Sequence, residues 1–376
     1  MAARSPHEPH RTATPLELLF DLVFVVAIAM AANGLHHAIA ENHTSAGLTG
    51  YAMVFFAIWW AWVNFTWFAS AYDCDDIPYR LAVFVQITGA LIMAAGVPDM
   101  FADRMPNVAV VAGYVVMRLA AVAQWLRAGV SDPEHRVTAH RYAVGITLLQ
   151  IAWVGMLFVP WLWRPGFVML AALELALPAW AERQSPTTWH PHHIAERYGL
   201  LTLIVLGESI LAATGAVQSA VSSGQAGLNL APVTVGGLLT VFSMWWIYFD
   251  RPVHDLLTSL PKALLWGYGH YFIFGSAAAV GAGLAVAVDV VTHEAHVTMR
   301  HAGAAVAVPV AIYVVCLWAL HHRPEFRRTR SLGPTAALLL LVTPFTPQPV
   351  LLIGIVLATL ITLKVVLQGP RQSGHA

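Results

Sequence analysis

The sequence predicts an all-α polytopic membrane protein of about twelve transmembrane helices, arranged as two parallel six-helix repeats. Three observations predict it. First, only 11% of the 376 residues are Asp, Glu, Lys or Arg, while 58% are hydrophobic; an ordinary soluble domain carries roughly 25% charge. Second, the apolar residues gather in runs of about 20, the length a helix needs to cross a bilayer. Such runs are too long and too unbroken for the alternating strands of a β-barrel. Third, the basic residues are sorted along the chain. Twenty basic residues balance twenty acidic ones, so there is no basic field for nucleic acid.

The predicted spans are 16–40, 48–70, 78–98, 108–127, 138–160, 166–182, 194–218, 231–250, 263–289, 301–320, 334–346 and 348–367. The first has Arg4 and Arg11 ahead of it and an Ala29-Met30-Ala31 string that looks like a cleavage site. Glu17 and Asp21 sit inside its apolar run, which a signal peptide avoids, so it reads as a retained helix. The second is rich in tryptophan, and the third starts behind Asp76 and Pro78. The fourth carries Arg118, the sixth Glu174 and the seventh Glu208. The eleventh is short, cut by Pro344 and Pro347. With an internal N-terminus and twelve crossings, sixteen Lys and Arg face the cytoplasm. Only Arg104, Arg164 and Arg300 fall outside, and Arg118 lies within a span. That asymmetry places both termini in the cytoplasm. Cys74 and Cys316 form neither a disulfide framework nor a metal spacing.

Spans six apart look related. Glu17 and Glu196 open the first and seventh, Trp59-Trp60 matches Trp245-Trp246 in the second and eighth, and Tyr114-Val115-Val116 matches Tyr313-Val314-Val315 in the fourth and tenth. An even offset preserves direction, so residues 1–185 and 186–376 are expected to be parallel six-helix halves. Asp21 has Leu200 as its counterpart, which makes the two sites inequivalent.

Three ordered blocks carry a resemblance. They are Thr14-Pro15-Leu16-Glu17-Leu18-Leu19-Phe20-Asp21-Leu22-Val23-Phe24-Val25, then Trp59-Trp60 running into Tyr72-Asp73-Cys74-Asp75-Asp76 and Tyr79-Arg80, then His193-Ile194-Ala195-Glu196-Arg197-Tyr198-Gly199 with Leu206-Gly207-Glu208-Ser209. Together they resemble the bacterial low temperature requirement protein A (LtrA) family. The resemblance implies a multi-pass membrane protein and no settled biochemical activity.

Charged groups inside hydrocarbon are costly, so each is a candidate for function. Glu17 and Asp21 are one turn apart on the first span; Glu17 suits a helix start, whereas Asp21 lies deeper and needs a partner such as Arg80. Asp73, Asp75 and Asp76 repel one another unless a cation or Arg80 compensates. Their oxygens suit Mg²⁺, or one carboxyl could act as a general acid. Asp73-Cys74-Asp75-Asp76 is also similar to the acid motif of class II terpene cyclases. His192, His193, Glu196 and Arg197 lead into the seventh span, and Glu208 lies roughly 16 Å further on, near the midplane. That column reads as a proton or ion path. Arg118 expects Glu174 or Glu208 as its partner. Asp250, Arg251, His254 and Asp255 close the eighth span as a possible second copy of the Asp73–Asp76 cluster. Gln86, Asn64 and His270 are single polar positions that helix–helix hydrogen bonds can satisfy. Trp59, Trp60 and Trp67 could wall a cavity.

Two functions follow. One is an ion- or proton-coupled transporter of a small solute, working through Glu17, Asp21, Arg80, Arg118, Glu174, His193, Glu196, Arg197 and Glu208. The other is a membrane-embedded enzyme that meets the head of an isoprenoid or prenyl diphosphate at Asp73, Asp75 and Asp76, with Mg²⁺ or a carboxylic acid. Both expect the lipid bilayer as partner and a small-molecule or lipid-like substrate.

Overall fold

The structure, a computed structural model, describes every residue except 2, 6–7, 9–10, 102–106, 223, 225–226, 228, 322–328 and 369–376. Arg104, Arg323, Arg327, Arg328 and Arg371, all counted in the expected orientation, lie outside the described residues. Among the described residues there are twelve α-helices and no strand. They are α1 (Pro15–Ala40), α2 (Thr44–Tyr72), α3 (Ile77–Phe101), α4 (Val108–Ser131), α5 (Arg136–Met156), α6 (Trp163–Ala181), α7 (Pro191–Ser222), α8 (Leu230–Phe249), α9 (Leu260–Val291), α10 (Met299–His321), α11 (Leu332–Val342) and α12 (Pro349–Gln368).

Every expected span has its helix, but among the described residues ten of them, not twelve, are long and apolar enough to cross a membrane. α11 has only 11 residues. Pro344 ends it through a 3₁₀ turn over Thr343–Phe345, because a proline in a helix interior removes a backbone hydrogen bond. α5 is diluted at its start by Arg136, His140 and Arg141.

Helix starts follow local chemistry. The Thr14 backbone N–H donates to Glu17 Oε2 at 2.8 Å, and the Glu17 N–H donates back to Thr14 Oγ1 at 3.3 Å. This is a capping box, with Pro15 at the first helical position. Asn107 caps α4, its side-chain oxygen accepting from the Val110 N–H at 3.0 Å. Asp76 does the same for α3 from the Tyr79 N–H at 3.0 Å.

The chain divides into two compact units. The first comprises Met1–Gly34 and Leu48–Leu201. Its core is aromatic: Phe20 stacks on Phe24 and Phe65, and Trp60, Trp62, Phe55 and Tyr72 on α2 are fully buried. α3 and α4 touch backbone to backbone. A Cβ added at Gly89 would lie 2.7 Å from the Gly113 carbonyl oxygen and 2.9 Å from the Met117 nitrogen. Small residues permit that approach where lipid supplies no hydrophobic drive. Gln86 Nε2 donates to Gln124 Oε1 across the same seam at 2.7 Å.

The second unit comprises Leu35–Gly47 and Thr202–Ala376. α9 is its centre, with Ser276 through Val288 buried without interruption. Most of that run is Ala, Gly and Val, which lets α10 pack close. Ser209 Oγ donates to the Ala277 carbonyl at 2.9 Å, and Tyr313 donates to the Met244 carbonyl at 3.0 Å. His270 is satisfied, as its sequence context suggested. Its Nδ1 meets the Trp266 carbonyl at 2.8 Å, which leaves Nε2 to accept from the Tyr248 hydroxyl at 3.0 Å. The matched tryptophan pairs differ in environment. Trp59 and Trp60 are 3% and 0% exposed, whereas Trp245 and Trp246 are 46% and 45% exposed.

Gly113→Val is expected to lower the thermal midpoint of the detergent-solubilised chain, since forcing methyl groups into a packed seam costs about 1–3 kcal/mol. Gly155, with no neighbour within 4 Å of an added Cβ, serves as control: Gly155→Ala is expected to leave the midpoint unchanged.

Candidate functional site

The first unit encloses a fully buried ionic cluster. Glu17 and Asp21 come from the first two turns of α1, and His193 and Arg197 from the start of α7. All four are 0% exposed. Arg197 binds both acids. Its Nε and Nη2 fork onto Asp21 at 3.3 and 2.6 Å, and its Nη1 reaches Glu17 Oε1 at 2.8 Å. A guanidinium offers donors in a rigid plane suited to this bridging. Trp62 Nε1 donates to Asp21 at 2.7 Å, and the Trp62 and Phe65 rings lie 5.9 and 5.7 Å from the guanidinium carbon. His193 Nε2 is 3.0 Å from Glu17 Oε1.

With His193 neutral, the cluster holds two carboxylates and one guanidinium, a formal charge of −1. One added proton or small cation brings it to neutrality. A net charge buried in low dielectric is expensive, and the buried Arg11 guanidinium, which interacts electrostatically with Glu17, is a fixed cation beside these four side chains. Two buried polar atoms there, His193 Nδ1 and the Tyr79 hydroxyl, have no hydrogen-bond partner among the described residues.

The cluster is closed at the helix ends. Arg11, 4% exposed, donates to the Ser70 carbonyl and, at 2.6 Å, to the Ala69 carbonyl at the end of α2. His190 Nε2 meets the Glu8 carbonyl at 2.9 Å, and its Nδ1 accepts from the His193 N–H at 3.4 Å. Both nitrogens are thereby assigned in the neutral ring, and burial keeps His190 below its ordinary pKa. Glu196 is half-buried and accepts from the Ala13 backbone.

A second buried acid is Glu174 on α6. It accepts from Trp60 Nε1 at 2.8 Å, Arg118 Nη2 at 2.8 Å, the Tyr114 hydroxyl at 3.0 Å, Trp153 Nε1 at 3.3 Å and Gln150 Nε2 at 3.5 Å. Of the two partners expected for Arg118, Glu174 is the one it meets. Five donors saturate this carboxylate, which makes it a tie between helices. Tyr114 and Trp153 also line a small apolar cavity of about 30 Å³, with Trp163 and Phe167.

The loop acids behave differently from the expectation. Asp75 takes both Arg80 donors, at 2.8 and 2.6 Å, and Asp76 takes both Arg127 donors. Those partners hold both carboxyls below their ordinary range. Asp73 turns inward, 7% exposed, with Arg4 at 3.5 Å. Burial, and then the Glu17 carboxylate, raise its pKa. The three carboxylates therefore do not share one space. The expected Mg²⁺ site on Asp73, Asp75 and Asp76 does not fit this arrangement, and among the described residues no group of three His, Cys, Asp or Glu is placed to hold a metal. The Mg²⁺ form of the enzyme reading therefore finds no site on these acids among the described residues. Arg80 as the partner of Asp21 is likewise corrected: Arg80 serves Asp75, and Arg197 serves Asp21.

Glu208 lies in the second unit, half-buried, and forms no ion pair among the described residues. Trp59 and Trp60 pack on each other at 5.5 Å, and Trp67 Nε1 donates to the Tyr198 hydroxyl at 3.3 Å. Trp60 and Trp62 act as hydrogen-bond donors to buried acids, a role composition does not reveal. Sequence reasoning also missed the Tyr72–Asp132–His135 group, where Tyr72 and His135 meet Asp132 at 3.0 and 2.8 Å. Burial opposes ionisation of Asp132, but these bonds outweigh it and keep its pKa low. The local signal was Asp132-x-x-His135, in the short bend between α4 and α5.

The family model of the bacterial low temperature requirement A protein matches residues 12–367. An uncharacterized protein of Rhizobium meliloti (strain 1021) is 28% identical over 279 residues, which is 69% of this chain and 65% of the relative. The match thus spans about two thirds of each.

Glu174→Ala strands the Arg118 guanidinium and is expected to cost about 3–5 kcal/mol. An Arg118→Leu/Glu174→Leu double variant is expected to cost less, and comparing midpoints in detergent checks both. Asp73 supplies a pH test. Its folded pKa is raised, so the folded state binds a proton more tightly than the unfolded chain, and stability falls as pH rises through that pKa. Asp73→Asn should therefore be more stable than the parent at pH 7, with the gap closing towards pH 4 in a midpoint-against-pH series.

Proposed function

The chain belongs to the bacterial low temperature requirement A family, and we propose that it is an inner-membrane carrier that moves a small solute coupled to a proton or small cation. The observation that carries this reading is the buried Glu17–Asp21–Arg197–His193 cluster, one positive charge short of neutrality. Ionisable groups kept inside a membrane span usually serve transfer of charge. This cluster has the chemistry to bind and release one proton: His193 offers a bare Nδ1 in its neutral form, and Asp73, with its raised pKa, stands between the cluster and the loop. Tight packing of Trp62 and Phe65 over Arg197 excludes water and strengthens the electrostatic dependence on occupancy.

The sixteen-to-three basic asymmetry supports an orientation with both termini in the cytoplasm. The spans that match six apart support parallel halves, 1–185 and 186–376. In that arrangement the ionic cluster draws on both sequence halves, Glu17 and Asp21 from the first and His193 and Arg197 from the second, with Leu200 standing where Asp21 would repeat.

The test uses the full chain in proteoliposomes loaded with a pH-sensitive dye and challenged with panels of amino acids, sugars and small carboxylates. One solute class is expected to evoke proton movement in the parent. Asp21→Asn and Glu17→Gln, compared with the parent at equal amounts of folded protein, should lose it by at least an order of magnitude (~1.4 kcal/mol of coupling per tenfold). Solute-evoked signals of parental size in both variants would sink the mechanism.

A further inference from the structure

The second unit holds a separate cavity of about 100 Å³ where α8, α10 and α12 end and α11 begins. Its lining has two characters. Arg251 and Lys364 bring two fixed cations, with His321 beside them, while Asp250 is the one acid among the described lining residues. Lys364 Nζ lies 3.4 Å from Asp250 Oδ2. The remaining wall is apolar, including Leu317, Trp318 and Leu360. A volume of that size holds a group larger than several waters.

The position of the cavity decides what kind of guest suits it. Lys364 sits in the last turns of α12, between Leu363, Val365 and Val366, which are 42%, 51% and 70% exposed. Side chains that apolar and that exposed on a membrane-spanning helix face lipid tails. Pro252, exposed, stands on the rim just past the end of α8. A cationic cavity at a helix end, walled by apolar side chains and flanked by a lipid-facing surface, matches an amphiphile with an anionic head. Basic recesses between transmembrane helices near the interface bind phospholipid heads in this way.

We propose that this cavity binds the phosphate head group of an anionic phospholipid, with Arg251 and Lys364 as the anion-binding cations and Asp250 as the internal counter-charge that the lipid phosphate displaces from Lys364. The site is independent of the ionic cluster in the first unit. It needs only the negative charge and apolar tails of the lipid, so a phosphatidylglycerol vesicle or micelle is a sufficient probe.

The experiment is a thermal-shift and native mass spectrometry titration of the full chain in neutral detergent. The probes are phosphatidylglycerol, phosphatidylcholine and inorganic phosphate. Phosphatidylglycerol is expected to raise the midpoint and remain bound, and the other two are not. Arg251→Gln should weaken phosphatidylglycerol binding several-fold while leaving the Asp250–Lys364 pair intact. Arg251→Gln/Lys364→Gln should weaken it roughly tenfold or more. Asp250→Asn frees Lys364 and should tighten binding. A purely structural role for these residues would shift the midpoint of lipid-free protein in all three variants without changing lipid affinity, and would overturn the proposal. Equal stabilisation by phosphatidylcholine, or by inorganic phosphate alone, would also overturn it.

Discussion

Arg197 is the interaction on which the first unit depends. One guanidinium, wholly buried, satisfies two carboxylates one turn apart on α1 while rooted on α7. Neither side can be removed cheaply. Taking away one partner of a buried ion pair typically costs about 3–5 kcal/mol, because the remaining charge is stranded. The surrounding order follows from protecting that charge. Trp62 fills a lone pair of Asp21, Phe65 covers the guanidinium, and Arg11 and His190 occupy the carbonyls and N–H groups at the helix ends. Glu17 carries two duties, since the same carboxylate that meets Arg197 also closes the capping box of α1.

The acids of the first unit differ in how much of their capacity is already committed. Glu174 is saturated by five donors and serves to hold helices in register. Asp75 and Asp76 are bound in bidentate pairs, and Asp76 additionally starts α3. What stays chemically open is the Glu17–Asp21 side, where the charges do not cancel. Among these acids, charge pairing is least complete at Glu17 and Asp21, not where acids are densest in the sequence.

That distinction explains what could be read from the chain alone. Helix positions were legible because a bilayer sets a length scale, and each of the twelve predicted runs holds a helix. The shortfall to ten crossing helices arises where prolines cut α11 and basic residues dilute the start of α5. Glu17, Asp21, His193 and Arg197 were legible as candidate residues, because charge in an apolar run is conspicuous. Their pairing was not: Arg80 is nearer in sequence to the acids than Arg197, yet lies on the exposed side of α3. The aspartate string looked like a cation site because sequence shows the density of oxygens but not which guanidinium each one meets. Arg127, an ordinary-looking residue at the end of α4, was the missing piece. Tryptophan density was visible, but the direction of each indole N–H was not.

Trp60 and Trp62 carry a further implication. Two residues apart on a helix, they point about 200° from each other, and their indole N–H groups end on different acids, Glu174 and Asp21. α2 is thereby pinned from opposite sides. A rotation of this helix about its own axis pulls both indoles off their acceptors together. Its azimuth is fixed as a wheel is fixed by two opposed chocks, and any movement of the first unit must carry α2 as a rigid axle or release two buried acids in the same stroke.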